Sequence, residues 1–273
     1  MFDAFASTFM QRALLAGVLV SLTASYLGVF IVQRGLSFLG SGLAHAAFGG
    51  VALALLLNTE PLWIAVPFTV IVAIVITWVT EHTSIGGDTS IGVFFSVSVA
   101  LGVIFLALKK NYAADAMTYL FGSILFIQAA DLWIAGAVLG LTVLMLPLWS
   151  RWAYATFDRE LAAADRLHVG AQDYALAVLI AVVIVVAAKL VGIMLIAAFL
   201  VIPAAAARLV ARTFGGMTLL AIAAGLVSTV AGLWLSYDRE LPSGALIVLV
   251  EAALFAAAMA VSALQRLRRP REL

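Results

Sequence analysis

Long apolar runs broken by short polar stretches dominate the chain, and within the runs apolar and polar positions do not alternate. A membrane-crossing helix needs about 20 predominantly apolar residues, because the hydrocarbon core is ~30 Å thick. Barrel strands need only about ten and alternate, so the pattern predicts helices. Runs of sufficient length lie near 12–33, 37–57, 61–80, 89–108, 131–150, 172–190, 191–210, 216–236 and 243–264. Met117–Ile127 is apolar but too short to cross, and reads as a re-entrant or half-depth helix. The expected fold class is all-α: a polytopic bundle of about eight to ten spans in a single transmembrane domain, 1–273.

Composition identifies the solvent. The chain is 65% apolar and 11% charged, with a mean hydropathy of +1.18. A water-soluble domain carries about 25% charged residues, so most of this surface is expected to face lipid. A net charge of +1 leaves no basic face for nucleic acid. Without Cys there is no disulfide framework, thiolate ligand or cysteine nucleophile. Met1–Gln11 lacks the basic stretch and cleavage site of a signal peptide, so the first run is expected to stay in the mature protein.

Lys and Arg orient the spans. Arg266, Arg268, Arg269 and Arg271 place the C-terminus in the cytoplasm. Counting back, Arg208, Arg212 and the polar segment Arg151–Gly170 are also cytoplasmic, and Tyr237–Gly244 is outside. Lys109 and Lys110 oppose this scheme if Met117–Ile127 does not cross. Gly40, Gly42, Ala44, Ala46, Ala47, Gly49 and Gly50 crowd the second run, and Ala197, Ala198 and Ala204 to Ala207 the seventh. Small residues let helix backbones approach closely in lipid, which predicts that both runs lie inside the bundle or at a subunit interface.

The longest polar interruption is TFDRELAAADRLHVG, Thr156 to Gly170. Phe157, Leu161, Ala164 and Leu167 share one helical face and charges cover the rest. Thr156 or Asp158 can cap its start and Gly170 can end it. Two readings stand: a surface helix joining two spans, or a coupling helix that docks into a groove of a partner.

With the segments RGLSFLGSGLAHAAFGGVALA (34–54), GDTSIGVFFSVSVALG (87–102), YLFGSIL (119–125), FDRELA (157–162), VGIMLIAAFLVIPAAAARL (191–209) and ELPSGALIVLV (240–250), the chain resembles the ABC-3 family. These are membrane permeases of manganese, zinc and iron ABC importers of the bacterial inner membrane. The resemblance implies a second permease copy, two cytoplasmic ATPase subunits and an extracytoplasmic metal-binding protein. It also implies that Phe157, Asp158, Glu160 and Leu161 belong to the segment facing the ATPase. The transported divalent metal is then the substrate, and no cofactor is bound by this chain.

Ionisable residues inside spans are costly and mark function by default. His45 lies midway along the small-residue run and offers an imidazole, a common ligand for such metals. The alternative is a structural His bonded to a backbone carbonyl. It falls in a stretch that in the family usually reads G-D-x-L-[SA]-H-A, and Ser41 stands here where many members carry Asp. Glu251, in VLVEAALF, is expected either to face the pathway or to pair across helices, with His45 as one partner considered. Asp88, a further metal candidate, opens a span, where the helix dipole already accounts for a carboxylate. Pro203 interrupts an alanine-rich run and suggests a kinked gate, and Lys189 reads as an interfacial snorkelling residue.

No G-x-x-x-x-G-K-[ST] loop, H-E-x-x-H or nucleophile elbow occurs, so the chain is not expected to be an enzyme. Two functions remain: an ATP-driven importer of Zn2+, Mn2+ or Fe2+, and a secondary transporter in which a proton or sodium gradient acts through Glu251 and His45.

Overall fold

A computed structural model describes residues 7–109 and 127–268. The helices fall where apolarity places them: α1 (Thr8–Gln33), α2 (Leu39–Leu57), α3 (Pro61–His82), α4 (Gly87–Leu108) and α5 (Ala129–Leu144). A 3-10 turn at Leu146–Leu148 leads to α6 (Trp149–Phe157) and α7 (Arg159–Ala164). Then come α8 (Val169–Val191), α9 (Ile193–Val210), α10 (Phe214–Arg239) and α11 (Ser243–Arg268). The fold is all-helical, and the chain is a multi-pass membrane protein. Among the described residues, eight helices are long and apolar enough to cross a bilayer. The ninth expected span is α9, whose apolar part, Leu195–Val210, is shorter. It is surrounded by α1, α2, α8, α10 and α11, and a helix shielded by protein need not match the lipid thickness. The expected element Met117–Ile127, with the YLFGSIL motif and Lys110, lies outside the described residues apart from Ile127.

Burial separates an inner group from an outer one. In α1, α2 and α8 roughly three quarters of the apolar window is buried, against about a tenth to two fifths for α3, α4, α5, α10 and α11. The expectation that the small-residue runs are interior holds for α2 and α9. A β-carbon on Gly50 would lie 2.6 Å from the Ala65 Cα of α3, and one on Gly42 2.5 Å from the Ile91 side chain of α4. Backbone approach of this kind replaces the hydrophobic drive that lipid does not supply.

End-to-end contacts set the two faces of the bundle. On one face Arg34, just after α1, meets Asp173 of α8, Arg208 of α9 donates to the Val32 carbonyl, and Arg159 reaches Glu81 of α3. On the other, Lys109 donates to the Leu55 carbonyl at 2.6 Å, and Lys189 pairs with Asp131 at 2.8 Å and Glu60 at 3.5 Å. The arginine-rich face is the cytoplasmic one by the positive-inside bias. Lys109 therefore lies outside, against the charge bias that orients the other ends. There the C-terminal carbonyls of α2 receive its charge favourably. Lys189 is likewise an ion-pair partner of two carboxylates rather than a snorkelling side chain.

Candidate functional site

The polar segment after α6 does not form the single helix expected over Thr156–Gly170. Thr156 closes α6: its hydroxyl donates to the Trp152 carbonyl at 2.6 Å and accepts from Arg34 Nε at 2.9 Å. The N-cap is Asp158, which leaves helical geometry and accepts the Leu161 N–H at 2.8 Å. Helix α7 ends after one and a half turns. The Arg166 N–H bonds the Ala163 carbonyl and the Leu167 N–H the Ala162 carbonyl, the two bonds of a Schellman motif, with Arg166 at φ 62°. Gly170 ends nothing. It is the second residue of α8, and a β-carbon there would stand 3.3 Å from Glu81 Oε1, so its bareness admits the α3 carboxylate.

Ala162 is buried with Ala155 and Val169 and holds α7 to the bundle. Its other side is open: Leu161 is 51% exposed, and Phe157, the last residue of α6 with its ring edge-on to Phe214, is 59% exposed, with Asp158 and Glu160 exposed beside them. Exposed apolar side chains are expected where helices meet lipid. On the polar element α7, Leu161 and neighbouring Phe157 form a candidate contact surface.

Beneath α7 lies a charged cluster that sequence reasoning missed. Arg159 directs Nη2 to Glu81 at 3.0 Å and Nη1 to Asp173. Asp173 is also held by Arg34 at 2.6 Å. Burial works against the Arg159 charge, but the neighbouring Asp173 carboxylate and the hydrogen bonds that Arg159 donates to Asp173 and Glu81 outweigh it and raise the guanidinium pKa. These groups line a cavity of about 520 Å³, whose apolar wall includes Ile76, Ile91, Leu176 and Ile180.

His45 is half-buried where α2 packs on α4, its ring centroid 4.5 Å from that of Phe95. Its Nδ1 lies 2.9 Å from the Ser41 carbonyl. A carbonyl only accepts, so Nδ1 is the donor, which in the neutral tautomer leaves the Nε2 lone pair for a metal. Metal-ligating histidines are commonly held this way through the other nitrogen. Among the described residues no group of three or more His, Asp or Glu side chains is placed to hold a metal.

The other candidates do not join His45. Asp88 is exposed in the first turn of α4, on the cytoplasmic face. Glu251 is 1% exposed in α11, and among the described residues neither carboxylate oxygen has a hydrogen-bond partner. Its expected pairing with His45 is not formed, because α9 packs against both α2 and α11, which share no substantial contact. Pro203 lies within α9, which stays helical through it.

Residues 6–262 match the model of the ABC 3 transport family. The manganese import permease ScaB of Streptococcus gordonii is 35% identical, over 94% of this chain and 93% of its own length. The high-affinity zinc uptake membrane protein ZnuB of Haemophilus influenzae is 35% identical, over 89% of this chain and 94% of its own. Among solved structures, PsaBC of Streptococcus pneumoniae in complex with Fab superposes with a TM-score of 0.83 at 34% identity, covering 94% of this chain and 93% of that one. An inward-facing metal-chelate type ABC transporter shares the fold, with a TM-score of 0.69 at 17% identity.

Proposed function

The chain belongs to the ABC 3 transport family, and on that premise we propose that it is the permease subunit of an ATP-driven importer of a divalent transition metal. Single-domain over its length, it works with a second permease copy, cytoplasmic ABC ATPases and an extracytoplasmic metal-binding protein. The observation that carries this reading is the apolar pair of Phe157, the last residue of α6, and Leu161 on the capped, charge-flanked α7, both exposed at the arginine-rich face. That pair gives a cytoplasmic motor something to grip.

The metal is substrate, passing His45 on its way to the cytoplasm. A single imidazole nitrogen supports a weak, transient contact, which suits an ion that must leave as readily as it enters. Imidazole binds several first-row metals, so His45 alone does not choose among Mn2+, Zn2+ and Fe2+. Names of relatives favour manganese or zinc. The separation of Glu251 from His45 leaves a gradient-driven relay through both without geometric support.

The test is reconstitution with a cytoplasmic ABC ATPase of the same organism. Mn2+ and Zn2+ uptake should require ATP. Fully burying a Phe or Leu side chain is worth about 1.5–3 kcal/mol, and about half of each is exposed here. Replacing both Phe157 and Leu161 by Ala should then remove about 2 kcal/mol, roughly a thirtyfold loss of ATPase affinity. Metal uptake by the chain alone down a proton gradient would replace this reading with secondary transport.

A further inference from the structure

We propose that Arg159 is the positioning residue through which movement of α7 reaches the membrane-spanning helices and, by way of α3, the helix that carries His45. The proposal rests on the reading that a motor docks on α7.

Helix α7 has six residues, too few to be stable alone. Ala162 gives it an apolar anchor against α6 and α8. Its ionic connection to the spans is Arg159, whose two terminal nitrogens go to different helices: Nη2 to Glu81 near the end of α3 and Nη1 to Asp173 near the start of α8. Asp173 passes the connection to Arg34 behind α1, and Arg34 returns it to α6 through Thr156. Two guanidinium and two carboxylate groups, with the Thr156 hydroxyl, thus join three spans and α6 beside α7.

Glu81 leads furthest. Helix α3 packs on α2 at a distance only glycine permits, with Ala65 against Gly50 and Phe68 against Gly49. Backbones in such contact have no side-chain slack between them, so a displacement of α3 carries α2 and His45 with it. The cavity beside the cluster, bounded by α1, α3, α4, α6 and α8, gives these helix ends room to shift. The Arg159 side chain is 55% exposed. Ion pairs that solvent reaches are weak and remake easily, as a joint that opens and closes in every cycle requires. Lysine keeps the charge but lacks the planar fork that spans two carboxylates in a fixed geometry.

The experiment uses the complete complex in liposomes, measuring ATP hydrolysis, Mn2+ uptake and bound ATPase on the same sample. ATP-dependent Mn2+ uptake by the unmodified complex is the separate check on the importer reading. In Arg159→Gln, bound ATPase and hydrolysis should stay within about twofold, while Mn2+ moved per ATP falls at least tenfold. Arg159→Lys should fall between the two. Combining Arg159→Glu with Glu81→Arg restores the ion pair to α3 but not the one to Asp173, so Mn2+ moved per ATP should recover in part relative to either single change, at unchanged bound ATPase. Unchanged Mn2+ per ATP in Arg159→Gln overturns the proposal. So does a parallel loss of bound ATPase, which would make Arg159 part of the docking surface. If Arg159→Gln fails to assemble, Arg159→Lys decides by the same ratio.

Discussion

Gly28 lies where α1 crosses α9, and a β-carbon built there falls 1.8 Å from the Leu200 carbonyl oxygen, 2.8 Å from its carbon and 3.3 Å from its Cα. A carbon tolerates a carbonyl oxygen no closer than ~3.3 Å, so Gly28→Ala demands that the two backbones separate by about 1.5 Å. The obstacle is backbone on both sides, and no rotamer change relieves it. Overpacking a core costs about 1–3 kcal/mol, and the upper end applies because α1 and α9 both lie inside the bundle. At about 2–4 °C per kcal/mol for a chain of this size, the variant should lose on the order of 6–12 °C. The assay is the apparent melting midpoint of the detergent-solubilised protein, read at one scan rate because such unfolding is commonly irreversible. Gly136→Ala on α5 is the control, since among the described residues nothing lies within 4 Å of its β-carbon; it should melt at or above the unmodified protein, alanine being the better helix former. If the two variants melt together, the close approach of α1 and α9 is wrong.

Arg166 closes α7 with φ at 62°, a conformation that costs a non-glycine residue about 1 kcal/mol. Arg166→Gly should therefore slow amide exchange across 158–168 by up to about fivefold, and faster exchange would contradict the Schellman ending. His45→Ala should reduce metal uptake about tenfold or more while ATP hydrolysis persists, since even partners that only orient a ligand are worth that much. Equal uptake removes His45 from the path. Among the described residues neither buried Glu251 oxygen has a partner, so Glu251→Leu should stabilise the protein by up to the ~1–3 kcal/mol that unsatisfied polar groups cost, read as a higher melting midpoint, and leave uptake intact. Abolished uptake in both Glu251→Leu and Glu251→Gln would return the residue to the pathway.

Much of the fold was legible because lipid makes a local demand. A span must be apolar over about 20 consecutive residues and satisfies its own backbone within each turn, so the long runs marked every long helix. Interior positions of α2 and α9 were legible too, from glycine and alanine content. The polar segment after α6 was placed correctly, yet its interior was misread: Gly170 looked like a helix end, while a Schellman turn at Arg166 closes α7 and Gly170 makes room for Glu81. A turn competes with its neighbours for hydrogen bonds, and a six-residue helix carries too little pattern to settle the contest.

Which charges meet was a tertiary decision. Arg34 and Asp173 are 139 positions apart and Arg159 and Glu81 78, and each alone looks like an ordinary charge at a span end. They join because helix packing brings the cytoplasmic ends of α1, α3 and α8 together. The same packing inserts α9 between α2 and α11 and keeps His45 from Glu251. Transfer into lipid is decided residue by residue along a stretch of chain, so sequence alone determined the spans. An ion pair depends on where two distant ends come to rest, which only the assembled bundle determines.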